Sequence, residues 1–189
     1  MSLSASQPAG SAPAPVTYTI DPVHSSVGFR VRHLMVAHVR GDFGGLAGTV
    51  VFDAANPANG KVEASIDAAT LSTRDPQRDQ HLKSAEFLDV EKFPKITFVS
   101  KRIQAAGAGR WKVEGELTIH GVTKEVALDV EGLEPESKDP WGNVKTGASA
   151  TTKIHRKDFG LTWNVPLETG GVLVGDEVAI HLEIELAKG

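Results

Sequence analysis

Cysteine is absent from all 189 residues. That excludes disulfides, thiolate catalysis and thiolate metal sites, and it leaves the redox compartment open. No run approaches the roughly 20 apolar residues that a spanning helix needs, so no integral membrane segment is expected. A basic excess is missing as well. Twenty Lys and Arg stand against 24 Asp and Glu, for a formal net charge of −4. The basic residues are scattered along the chain with no polybasic block, which argues against a nucleic-acid partner. Residues 1–15 lack the basic and apolar regions of a secretory signal, so a cytoplasmic location is expected. That stretch is rich in Ser, Ala, Pro and Gly without periodicity and reads as a flexible tail before one domain over 16–189.

What the chain does contain is the vocabulary of strands. In the run from Val23 to Leu34, residues Val27, Phe29 and Val31 share one face of a period-two pattern, with Arg30 and Arg32 on the other. His33 has the parity of the apolar row, so a titratable ring ends an inward-facing apolar stripe. Trp111, Val113, Gly115, Leu117 and Ile119 alternate with Lys112, Glu114, Glu116 and Thr118. Val126, Leu128 and Val130 form another such row, as do Val178, Ile180, Leu182, Ile184 and Leu186. Shorter cases are Val50 with Phe52, Val62 with Ala64 and Ile66, and Ile96 with Phe98. Thr146 to Ile154 is small and polar on both faces, which leaves its orientation open.

Turn chemistry divides these runs. His120-Gly121 is a two-residue hairpin signal, and 56–60 and 106–109 read as longer hairpin loops. Gly41, Gly44, Gly45 and Gly48 crowd the second strand, where glycine marks a bulge or bend that a closing sheet requires. One stretch departs from this grammar. Asp75 followed by Pro76 is an N-cap with proline at the first helical position, and it predicts one helix of about three turns from Asp75 to Leu88. About eight hairpin-joined strands and a single helix predict an all-β fold, an antiparallel eight-stranded barrel that either holds one small ligand or is filled.

Candidate chemistry is sparse. Seven histidines contain no His-x-His pair and no helical His-x-x-x-His spacing, so no metal site is predicted. Glu114, Glu116, Glu183 and Glu185 face outward by parity and read as a solvated surface. Asp21, His24 and Ser25 are close in sequence, but no nucleophile elbow accompanies them, and no catalytic residue is assigned. Gly41-x-x-Gly44-Gly45 has no following lysine and opens no helix, so it is not a phosphate loop. The aromatic residues Phe29, Phe43, Phe52, Phe87, Phe93, Phe98, Phe159 and Trp163 fall mostly on inward parity or near the helix. They form either a packed core or the wall of a tunnel.

Several motifs stand in a distinctive order. Tyr18-Thr-Ile-Asp21-Pro-Val-His24-Ser25-Ser-Val27-Gly-Phe29-Arg-Val31-Arg32-His33-Leu34 is followed by Gly41-Asp-Phe43. Then come Asp79-Gln-His81-Leu82-Lys-Ser84-Ala-Glu-Phe87-Leu-Asp89, Phe93-Pro94 and Gly115-Glu-Leu117-Thr-Ile119-His120-Gly121. Arg156-Lys-Asp158-Phe159-Gly160-Leu161 and Val174-Gly175-Asp176 close the series. In this order they resemble the YceI-like family, whose members are often called polyisoprenoid-binding proteins. The resemblance implies an extended lipocalin-like barrel whose tunnel holds a long isoprenoid, such as a polyprenyl lipid or a quinone tail. It implies carriage, storage or sequestration of that lipid, and no cofactor. On parity and motif position, Phe29, Val31, Phe43, Phe87, Phe98, Leu117 and Phe159 are the candidates for the tunnel wall. Arg32, His33, Arg74 and Arg78 are the candidates for the head-group end. The rival reading is an enzyme acting on a lipid-like substrate in the same cavity, and the chain is compatible with a homodimer.

Overall fold

The computed structural model describes residues 14–133 and 135–189. The proposed flexible tail therefore lies, up to residue 13, outside the described residues. Eleven strands follow in chain order: β1 (Val16–Ile20), β2 (Ser26–His33), β3 (Ala37–Phe43), β4 (Ala47–Phe52), β5 (Lys61–Asp67), β6 (Lys95–Gly107), β7 (Arg110–Ile119), β8 (Val122–Gly132), β9 (Ser137–Lys138), β10 (Val144–His155) and β11 (Val174–Lys188). One α-helix, α1 (Pro76–Lys83), separates β5 from β6.

Two pairs of these strands act as single staves. β1 and β2 lie end to end along β11, with Ile20 opposite Leu186 and then Ser26 opposite Glu183. The five residues 21–25 bulge out between them. β4 and β3 repeat the arrangement against β1 and β2, interrupted at 44–46. With β5, β6, β7, β8, β10 and β11, the two composite staves make eight, and the long β10–β11 ladder joins the last two. Closure removes the exposed edges that such a sheet would otherwise present. The expected eight-stranded antiparallel barrel is the one observed.

Glycine permits the tightest approaches. A Cβ on Gly48 would sit 2.1 Å from the Glu63 carbonyl oxygen, and one on Gly115 would sit 2.4 Å from that of Val99. At both places the neighbouring strand occupies the space of a side chain. The His120-Gly121 hairpin is realised with φ of 53° and 71°, the doubly positive turn that matches strand twist.

The helix is shorter than its sequence signal. Asp75 accepts from the Arg78 amide and Pro76 stands in the first turn, as the N-cap pattern demands. But the helix stops after eight residues, because Ser84 is extended and its hydroxyl donates to the His81 carbonyl. Leu82 is the one large apolar side chain on those turns. Phe87 and Leu88 are both buried, Leu88 beside Leu71, Ile96, Ile119, Ile154 and Leu161, and Phe87 against the rings of His81 and Trp163. Burying both rewards leaving the helix more than continuing it.

Candidate functional site

A cavity of about 280 Å³ runs along the barrel interior. On β11 its wall takes Val174, Val178, Ile180, Leu182, Ile184 and Leu186. Twelve residue steps correspond to about 40 Å of strand, or about 30 Å along the axis once the usual strand tilt is allowed for. Trp111, Val113, Leu117 and Ile119 of β7 and Val126, Leu128 and Val130 of β8 line it as well. β10 contributes Ala148, Ala150, Thr152 and Ile154, which resolves the orientation of that ambiguous segment. The barrel is hollow along much of its length.

Of forty lining residues, only Thr97, Thr152, Arg156 and Trp111 carry a polar side-chain atom, and Trp111 Nε1 already donates to Gly132 O, so the bore has almost no hydrogen-bonding capacity to offer a ligand. The Thr152 hydroxyl donates to the Ala127 carbonyl at 2.8 Å. Arg156 is 3 % exposed, and it is fully engaged by the protein. Its Nε donates to Gly175 O, its Nη1 to Leu161 O and Trp163 O, and its Nη2 to Val174 O and Asp176 Oδ1. A guanidinium has five N–H donors, and all five are used. Burial pulls its pKa down from the ordinary value, and the Asp176 carboxylate opposes that shift. Arg156 is thus a brace between the segment after β10 and the start of β11. It was not among the sequence candidates, although it opens the Arg156-Lys-Asp158-Phe159-Gly160-Leu161 motif.

Six of the seven wall candidates line the cavity: Phe29, Val31, Phe43, Phe87, Phe98 and Leu117. The rings of Phe29 and Phe43 lie 5.6 Å apart. Phe159, only 1 % exposed, packs in the core at the α1 end rather than on the wall. It ends the 3-10 turn after β10 and is buried in the cluster that holds Leu71, Leu88 and Leu161. The head-group candidates are not on the wall. Arg32 is exposed on the outer face of β2, and Arg74 is exposed in a loop. Arg78 donates from Nε to Thr73 Oγ1 at 2.7 Å and from Nη2 to Thr73 O at 2.9 Å. His33 is half-buried, opposite Ala37 and Val174, and its ring makes no hydrogen bond among the described residues. At the α1 end, the rings of His81, Phe87 and Trp163 meet edge-on or tilted at 4.8–5.3 Å, joining the helix segment to the β10–β11 connection.

The residues that sequence proximity grouped as Asp21, His24 and Ser25 have separate partners. His24 Nδ1 is 3.1 Å from Asp21 Oδ2, whereas Ser25 Oγ accepts from the Glu185 amide. Asp21, His24 and Glu185 do place ligand-type atoms close together. The Lys145 ammonium stands among them, 2.7 Å from Asp21 and 3.1 Å from Glu185, and supplies the positive charge. Hydrogen bonds from Lys145, then from His24, hold the Asp21 carboxyl far below the usual carboxylate range. A carboxylate depressed by folding contributes stability above its unfolded pKa, and that stability is lost as pH falls toward the folded value. Stability is therefore expected to decline as pH drops below about 4. Lys145→Met should flatten that decline in urea titrations at pH 5 and pH 3. An unchanged slope would mean the network contributes nothing.

Comparison with known proteins agrees with this architecture. Residues 18–186 match the YceI-like domain. A UPF0312 protein of Staphylococcus aureus is 38 % identical over 171 residues, covering 90 % of this chain and 96 % of that protein. The crystal structure of BcnA from Burkholderia cenocepacia superposes with a TM-score of 0.72 at 25 % identity, covering 88 % of this chain and 98 % of that one. A polyisoprenoid binding domain from Saccharophagus degradans shares the fold, with a TM-score of 0.62 at 14 % identity over 91 % of this chain and 98 % of that one. With a family match across nearly the whole described barrel and a 38 % identical relative covered almost end to end, this chain belongs to the YceI-like family.

Proposed function

We propose that the protein binds a long isoprenoid chain, such as a polyprenyl lipid or a quinone tail, inside the barrel, and carries or stores it. The observation that carries this reading is the bore itself: elongated, apolar along its length, and with both of its strongest polar groups already satisfied by protein. An apolar chain is the ligand such a wall rewards, at about 0.8 kcal/mol per buried methylene. Affinity should therefore rise with each added isoprene unit until the bore is full. A charged head has no partner on this wall and stays outside it. Binding fits the wall better than catalysis does, because Arg156 is its one ionisable side chain and has no donor left for a substrate. The description of the Saccharophagus domain as polyisoprenoid-binding supports the ligand class.

The test is to extract purified protein with organic solvent and identify what comes out by mass spectrometry. A prenyl lipid supports the reading, and a protein that neither carries nor takes up one rejects it. Leu117→Trp supplies a variant that stays apolar. An indole at Leu117, beside its ladder partner Phe98 on the wall, excludes about three methylenes of ligand and should weaken long-chain binding about fiftyfold. Unchanged affinity in a folded Leu117→Trp protein would remove that position from the binding surface.

A further inference from the structure

The β2–β3 hairpin ends in apolar residues that the fold leaves largely exposed. Leu34 is 42 % exposed, Met35 48 % and Val36 81 %. Other exposed large apolar side chains such as Val23 and Trp141 lie in separate loops, and isolated cases of that kind need no explanation. Here three occur in succession at a convex tip. Val165 adds to them from the neighbouring loop, which the Leu34 amide bonds through Leu173.

The turn makes this choice of residues costly. Val36 N donates to His33 O, and the two central residues, Leu34 and Met35, have φ of 51° and 62°. Such doubly positive turns favour Asn-Gly, and a leucine and a methionine there are strained. Strained residues gain by burial elsewhere in a fold, but these two stay 42 % and 48 % exposed, with Met35 leaning on Gly171. The strain and the exposure together call for a partner that the tip meets from outside.

The charge behind the tip identifies that partner. Arg30 stands opposite Arg40 and Arg32 opposite His38 on the outer face. Like charges directly opposite each other are unfavourable in a sheet, and none of the three arginines has an ion pair among the described residues. From Ser26 to Phe43 the hairpin holds three arginines against one carboxylate, Asp42, a surplus of two on a chain whose formal charge is −4. Arg32 lies about 7 Å and Arg30 about 13 Å behind Leu34 along the strand. An apolar tip with a basic collar at that depth matches a bilayer whose head groups are anionic. A second copy packed tip to tip would set the arginines against one another.

We propose that the tip of the β2–β3 hairpin inserts into an anionic lipid surface, with Arg30, Arg32 and Arg40 against the head groups. His33 pairs with Val174, a wall residue, so the inserted tip brings one end of the cavity to the membrane. This gives the proposed isoprenoid carrier a place to load, but attachment to a vesicle is measured independently of that ligand.

The experiment uses co-sedimentation with vesicles of phosphatidylcholine alone or of equal parts phosphatidylcholine and phosphatidylglycerol. The full chain should bind the mixed vesicles, and less well as salt rises. The double variant Leu34→Asn/Met35→Gly installs the residues the turn prefers, so it should fold at least as stably as the parent while losing binding by about tenfold or more. Arg30→Gln/Arg40→Gln should weaken binding to mixed vesicles by about thirtyfold and hardly change the small residual binding to phosphatidylcholine. Because the chain has no cysteine, Val36→Cys takes a single polarity-sensitive fluorophore, whose emission should shift to the blue far more on mixed vesicles than on phosphatidylcholine. A parent protein that ignores mixed vesicles overturns the proposal, as does a folded Asn-Gly variant that still binds them. Dimerisation that the Asn-Gly variant abolishes, without vesicle binding by the parent, overturns it in favour of a second copy. Uptake of detergent-dispersed prenyl lipid by both proteins leaves the carrier reading standing in either case.

Discussion

Arg156→Ala is expected to lower the unfolding free energy by about 3–5 kcal/mol, the largest stability loss of any single side chain outside the apolar core. The guanidinium crosses from the segment after β10 to the first residues of β11, and its removal leaves the Gly175, Leu161 and Trp163 carbonyl oxygens without that donor, while Val174 O keeps Asn164 Nδ2 and the Asp176 carboxylate keeps Lys157. The arginine side chain that holds these carbonyls is itself buried, so its removal leaves them in a poorly hydrated place. Urea denaturation should show a lower midpoint with little change in slope. Arg156→Lys should fall between the two, since an ammonium keeps the charge but has three donors for five acceptors. A loss below about 1 kcal/mol in Arg156→Ala would reject the brace. A head-group role predicts something different: a variant that folds normally but no longer separates charged from neutral ligands.

Phe98→Glu should abolish ligand uptake and destabilise the barrel by about 4 kcal/mol or more, combining lost aromatic packing with a buried charge. Phe98 is 8 % exposed, faces the bore, and packs with Ile103 and Val113. The introduced carboxyl finds no partner on the surrounding apolar wall, so burial raises its pKa above the unfolded value. A raised carboxyl pKa destabilises the fold above that value, and the penalty shrinks as pH falls and the group becomes neutral. Titrations at pH 7 and pH 5 should therefore show a smaller difference from the parent at pH 5. Equal differences at both pH values would place the new side chain in water, and Phe98 off the wall.

Alternation carried most of the fold. Wherever a strand is apolar on one face and charged on the other, the period of two assigned that face correctly, as at Trp111–Ile119 and Val178–Leu186. Those same rows supplied the wall residues Phe29, Val31, Phe98 and Leu117, because facing inward is a local property of the pleat. Thr146 to Ile154 gave no such signal. Its inward residues are alanine, threonine and isoleucine, and their facing is set by eleven register pairs to β11. The helix start was legible from Asp75 and Pro76, while its end depended on Ser84 and on the burial of Phe87 and Leu88.

The head-group candidates show where parity stops. Arg32, Arg74 and Arg78 were chosen for charge near a motif, but charge does not say what else is within reach. Arg78 is taken by Thr73, whereas Arg156, unremarkable by spacing, is the residue whose five donors converge on the loop carbonyls. Convergence of that kind joins residues as far apart as Arg156 and Asp176, and no sequence window contains it. The scattered arginines make the same point, since only the β2–β3 register sets Arg30 opposite Arg40. Composition, turn residues and the period of two dictated a closed antiparallel sheet with an apolar inner face, because each acts within a few residues. Whether that face encloses packed side chains or a bore depends on strand number, stagger and the sizes of side chains meeting across the barrel, and those are properties of the closed sheet alone.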